Sequence, residues 1–276
     1  MNLYNLKNTF ILLVTCMVLI SGCCNKKNTN LSTNKSNLSI IQPKRFALII
    51  GNSNYQTVNP LPSAQNDAAG MRSALQRLGF EVITGTNLSK TETFEKVTQF
   101  TDLINSNNSK GLETVLYYSG LASYMNGVDY LLPVNNYLEF PEDLINEMIP
   151  LSEVVSQINK ANPDGINIVI TDTSRRNIFA NEFRESDVPE NQKFNIKNTY
   201  FAFATNPKFP ASDSIEHQAH GLFTESILRY IFTSDLTIDQ LFKLVRKDVM
   251  KATVGKQIVQ TISTLNGDYY FKRSNQ

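Results

Sequence analysis

The apolar and polar positions divide the chain into three stretches. Phe10 to Ile20 (FILLVTCMVLI) is an apolar run of eleven residues broken only by Thr15. Asn25 to Ile41 (NKKNTNLSTNKSNLSII) is rich in Asn, Ser and Lys, with too few apolar residues to build a core. From Arg45 the pattern is that of a folded domain. Short apolar-rich runs, typical of strands buried on both faces, occur at Phe46–Ile50, Phe80–Thr84, Thr114–Tyr118, Ile166–Ile170 and Tyr200–Ala204. Stretches with helical spacing lie between and after them. The first follows the polar pair Asn66-Asp67, with apolar positions at Ala68, Met71, Leu75 and Leu78 and a stop at Gly79. The others are Lys90–Asn105, Leu151–Ala161, Leu222–Phe232 and Ile238–Ala252. Asn126-Gly127, between Leu121–Met125 and Tyr130–Val134, predicts a hairpin turn. Tyr269–Phe271 reads as a short closing strand.

Strands alternating with helices predict an α/β domain over residues 45–276, with a mostly parallel central sheet of about six strands and helices on both faces. Ligands of such sheets bind at the carboxyl ends of the strands, here just after Ile50, Tyr118, Ile170 and Ala204. The longest irregular stretch, Ser174 to Asn198, begins at one of those ends. It carries Arg175, Arg176 and Arg184 and is expected to be a functional loop.

Composition adds mainly exclusions. With 276 residues, 41% of them hydrophobic, the chain is long enough for one substantial core. A net charge of +1 does not point to nucleic acid or to an acidic partner, and no nucleic-acid partner is expected. The three cysteines, Cys16, Cys23 and Cys24, all precede the domain. A disulfide framework, a Cys-rich metal site and a cysteine nucleophile are thereby excluded from it. No cofactor and no metal are expected.

The apolar run, preceded by Lys7, is too short to cross a hydrocarbon core of ~30 Å and fits a signal peptide over residues 1–22. Its end, Ile20-Ser21-Gly22-Cys23, resembles the bacterial lipobox. That resemblance implies cleavage before Cys23, lipid on its sulfur, and an exported protein anchored to a membrane of the bacterial cell envelope. Residues 23–44 would then be the lipidated cysteine and a polar tether. The alternative is an ordinary secretory signal with Cys23 merely at the cleavage region.

The domain itself resembles the caspase family, above all its metacaspase and orthocaspase branch. The similarity is carried in order by RFALIIGNSNY, LPSAQNDAAGMRSALQRLGFEV, ETVLYYSG with GVDYLLPV, INIVITDTSRRN, FAFATNP, HGLFTESIL and VRKDVMKATVGKQ with STLNGDYYF. It implies a caspase-hemoglobinase-like sandwich. Two departures fall on the family's chemistry. The family's Ser-Gly-His-Gly is here Ser119-Gly120-Leu121-Ala122, and its Asp-Ala-Cys-Arg is Asp172-Thr173-Ser174-Arg175. Leu121 cannot carry a proton, and the Ser174 hydroxyl needs a neighbouring base to attack a carbonyl. The expectation is a pseudo-protease, a lipid-anchored scaffold or peptide-binding module, in which an active paralogue is a further possible partner. The alternative is a hydrolase using Ser174 with a rescuing base, His217 or His220; the simpler reading makes both histidines exposed loop residues. A metal site built on these histidines and Glu216 lacks a second cluster.

In the metacaspase branch two acids line a pocket for a basic side chain, and the resemblance carries these onto Asp67 and Asp172. Two carboxylates facing one pocket would bind Arg or Lys, with bidentate geometry favouring Arg. The competing reading of Asp67 is helix capping, by it or by Asn66. For Asp172 it is bonding to backbone amides or to Arg175 or Arg176.

Overall fold

The computed structural model describes residues 43–56, 60–107, 111–125, 127–136, 146–173, 196–206 and 219–274. The expected signal peptide, Cys23 and the tether as far as residue 42, Ser174, Arg175, Arg176, Arg184 and His217 lie outside the described residues. In chain order the elements are β1 (Arg45–Gly51), α1 (Pro62–Arg77), β2 (Glu81–Thr86), α2 (Lys90–Asn105), β3 (Glu113–Gly120), β4 (Ala122–Met125), β5 (Val128–Leu131) and β6 (Ile149–Pro150). They continue with α3 (Leu151–Ala161), β7 (Ile166–Thr173), β8 (Thr199–Phe203), α4 (Leu222–Tyr230), α5 (Ile238–Ala252) and β9 (Gln260–Ser263).

Six strands form one sheet in the order β2-β1-β3-β7-β8-β9. All neighbours are parallel except β9, which runs antiparallel to β8. The expected α/β sheet is therefore present. Alternation along each strand assigns its two faces. Ala47, Ile49, Val115, Tyr117, Ile168 and Ile170 pack with α1, α4 and α5, whereas Leu48, Leu116, Val169 and Phe201 pack with α2 and α3. A register slip of one residue would exchange the two sets, so the double-sided core fixes the pairing. A separate antiparallel trio, β4-β5-β6, follows β3 and contains the expected hairpin.

Helices with strong local signals start and stop where their sequences say. Ser89 and Glu92 form a capping box on α2, and Thr237 and Gln240 do so on α5. Two expectations need correction. Helix α1 begins at Pro62, whose missing N–H is harmless at a first helical position, so Asn66 and Asp67 lie within the helix and do not cap it. The closing strand is β9 and not Tyr269–Phe271, where Tyr270 makes a single bridge to Thr237. An edge strand is held largely by backbone hydrogen bonds, and β9 carries no run of buried apolar residues for sequence to reveal.

The amino end of the sheet is closed by Arg45. Its Nε lies 2.8 Å from Glu113 Oε2, and its Nη1 donates to the carbonyls of Leu78 and Phe271. Tyr269 Oη donates to the same Glu113 oxygen at 3.0 Å. One nearly buried ion pair thus ties β1, β3, the end of α1 and the C-terminal segment. Among the described residues no helix is long and apolar enough to cross a membrane.

Removing one partner of such a pair strands the other charge, at a cost of about 3 kcal/mol. Arg45→Met is therefore expected to lower stability by about that amount in urea denaturation, and Arg45→Met with Glu113→Leu to recover most of it. An unchanged midpoint for the single variant would contradict the clamp.

Candidate functional site

The chain runs from β1 to the edge strand β2, then crosses to β3 on the other side of β1 and onward to β7 and β8. The strand order reverses between β1 and β3, and it is outside the carboxyl ends at such a reversal that ligands of open parallel sheets bind. Register aligns the three strand ends: Gly51 pairs with Ser119, Ser119 with Asp172, and Gly120 with Thr173. Leu121 and Ser174 are the residues that follow this last pair.

Leu121 is half-buried and packs into a small apolar cluster with Tyr55, Leu132, Met148, Leu61, Tyr130 and Val134. Its N–H donates to Tyr55 Oη at 2.7 Å, and its carbonyl accepts from Tyr118 Oη and from the Leu132 N–H. Burial pushes the Tyr55 hydroxyl up to about 12 and raises Tyr118 well above the ordinary phenol range, so both stay protonated. Gly120 is required here, since a Cβ would stand 2.5 Å from Tyr55 Oη. The segment is built around an apolar side chain.

The two acids named from the sequence do come together, although their elements are far apart in the chain. Asp67 is contributed by the interior of α1 and Asp172 by the last turn of pleat in β7. Both face Gly221, the residue before α4. A Cβ built on Gly221 would lie 3.2 Å from Asp172 Oδ2 and 3.3 Å from Asp67 Oδ2. Asp67 is 1% exposed, and its Oδ1 accepts from the Gly221 N–H at 3.0 Å and meets His220 Nδ1 at 3.1 Å. Ser119 Oγ reaches its other oxygen at 3.4 Å. Asp172 Oδ2 accepts from Thr224 Oγ1 at 2.7 Å, and Thr224 in turn is 2.6 Å from Tyr117 Oη.

Burial pushes both carboxyls above the ordinary carboxylate range. For Asp67 the charge of Asp172 adds to the rise, while the Gly221 N–H and Ser119 oppose it. The Thr224 hydroxyl and N–H oppose it at Asp172. The capping reading of Asp67 fails, whereas Asp172 does bond a backbone amide, that of Thr224; Arg175 and Arg176 lie outside the described residues.

His220 also departs from the simpler expectation of an exposed loop residue. Its side chain is 27% exposed and its ring lies over Gly70 of α1, where a Cβ would be 2.9 Å from Cε1. Gly221 and Thr224 were not singled out from the sequence. Their signal sat in HGLFTESIL, which reads as a helix start but not as the partner of two remote acids. Among the described residues no group of three or more His, Cys, Asp or Glu could hold a metal ion.

A family model for the caspase domain matches residues 44–270. The chain belongs to the caspase-domain family. This caspase-domain chain is 26% identical over 227 residues to the human (Homo sapiens) mucosa-associated lymphoid tissue lymphoma translocation protein 1, covering 80% of this chain and 26% of that protein. The mouse (Mus musculus) homolog of that protein is 25% identical over 227 residues, with the same coverage. Mouse caspase-1 is 24% identical over 218 residues, covering 73% of this chain and 52% of caspase-1. The chain thus spans about a quarter of the first two relatives.

In the caspase-domain fold of this chain, the raised carboxyls give stability a defined sign. Their folded pKa exceeds the unfolded value, so their contribution is complete below the ordinary carboxylate range and is lost as pH rises through the raised one. The melting temperature of Asp172→Asn is expected to gain on wild type as pH increases. A difference independent of pH would contradict a strained acid pair.

Proposed function

We propose that this caspase-domain protein binds basic peptide segments in its cleft without cutting them, as an exported protein held on a bacterial membrane through lipid on Cys23. The observation that carries the non-catalytic reading is Leu121. By the family resemblance it stands where the histidine base belongs, and it packs in an apolar cluster with its N–H and C=O both bonded. An aliphatic group neither takes nor returns a proton, and members of a catalytic dyad act as a unit, so loss of the base removes several orders of magnitude in rate. Ser174 in place of cysteine compounds this, because a hydroxyl is almost wholly protonated at neutral pH.

Binding chemistry is retained. Asp67 and Asp172 present carboxylate oxygens to one point, a charge distribution suited to guanidinium or ammonium. The lipid anchor rests on the lipobox resemblance at Ile20 to Cys23. One observation favours the hydrolase reading: the Asp67–His220 pair is an acid holding an imidazole, as in hydrolases that activate serine. The ring's other nitrogen, however, lies over Gly70 on the α1 side, 3.4 Å from where a Cβ would stand.

Calorimetry with a peptide carrying one central Arg, against the same peptide with Gln, tests the binding. The Arg peptide is expected to bind more tightly, and its affinity to grow as pH rises through the raised carboxyl range, because deprotonation supplies the charge it needs. Equal affinities would remove the reading. A fluorophosphonate probe is expected to label wild type no more than Ser174→Ala, and Ser174-dependent labelling would favour the hydrolase.

A further inference from the structure

The acid pair is occupied from within. Both described donors to Asp67 Oδ1, the His220 ring and the Gly221 N–H, come from the turn that leads into α4. The other oxygen, Oδ2, has the long 3.4 Å contact from Ser119 and faces the space beside Gly221 together with Asp172.

The His220 ring also has a dedicated seat. Gly70 lies inside α1, a position where glycine weakens a helix, and its missing side chain makes room for the ring. A Cβ there would be 2.9 Å from both His220 Cε1 and Leu228 Cδ1. Yet the ring is 27% exposed and reaches the acid through one nitrogen, whereas the Gly221 N–H is fixed by the backbone. Of the two donors, His220 is the one free to leave.

Arginine and lysine make different demands on this pocket. A guanidinium pairs best with a carboxylate through two parallel hydrogen bonds, one to each oxygen. It therefore competes with His220 for Oδ1. An ammonium is a point donor that needs a single acceptor oxygen, so it can pair through Oδ2 and leave Oδ1 to the ring. We propose that His220 is a built-in occupant of the acid pocket, displaced by an incoming guanidinium but not by an ammonium, so that residue 220 sets the preference between arginine and lysine. This rests on the basic-peptide reading above.

The test measures calorimetric affinities of the full chain for three peptides that differ at one central residue, Arg, Lys or Gln, in wild type and His220→Ala. Loss of an occupant raises apparent affinity by the fraction of time it filled the site. The Arg peptide is expected to bind about tenfold more tightly to the variant, the Lys peptide less than threefold, and the Gln peptide no differently. An unchanged Arg-to-Lys ratio, with both still favoured over Gln, would overturn the displacement and leave basic-peptide binding standing. Failure of either protein to distinguish Arg and Lys from Gln would overturn both. If His220→Ala does not fold, His220→Ser takes its place. NMR also reads the ring directly in a His217→Gln background, where His220 is the one remaining histidine. Its ring signals are expected to shift on saturation with the Arg peptide and to hold with the Lys peptide, and an unmoved signal with Arg overturns the proposal.

Discussion

Two buried carboxylates facing one glycine hold the carboxyl end of this fold together. Gly221 stands at the N-cap of helix α4 and has no side chain to satisfy the N–H groups exposed at a helix start. Asp67 from α1 accepts the Gly221 N–H, and Asp172 from β7 bonds the hydroxyl and N–H of Thr224 in the first turn. The caps of α4 are thus supplied from two other elements, and the partial positive charge of its N-terminus faces the acids. Those bonds lower the carboxyl pKa values, but burial outweighs them. The pair is bonded and strained at once.

Under the proposed function, that combination would let a binding site outlast a catalytic one. The acids help dock α4 onto the sheet, so their loss would disturb the packing of Phe223 and Ile227 in the core as well as any ligand contact. The histidine position has no such double duty. Leu121 fits its place through apolar contacts and backbone hydrogen bonds, neither of which needs an imidazole. Proton transfer can be lost there with the fold intact.

The fold was legible where local signals were strong. The sequence predicts the observed bounds of α2, α3 and α5, and the five core strands lie within a few residues of their apolar runs. It misplaces the start of α1 because Asn66-Asp67 looks like a cap, although Asp67 serves a helix 154 residues further on. It misses β9, whose pairing is largely backbone, and the two-residue β6. Asp67 and Asp172 came from family resemblance, since neither periodicity nor spacing connects them. Their partners Gly221 and Thr224 were invisible because a hydroxyl or an N–H gains meaning only once α4 docks. His220, in a polar stretch, gave no sign that Gly70 had left room for its ring.

The central claim is that the cleft holds peptides but lacks the proton acceptor needed to cut them. Its most direct test is mass spectrometry of a peptide mixture rich in Arg and Lys, incubated with purified wild type and with Ser174→Ala. The expected result is an intact mixture, identical for the two proteins. New ends after Arg or Lys that depend on Ser174 would contradict the account.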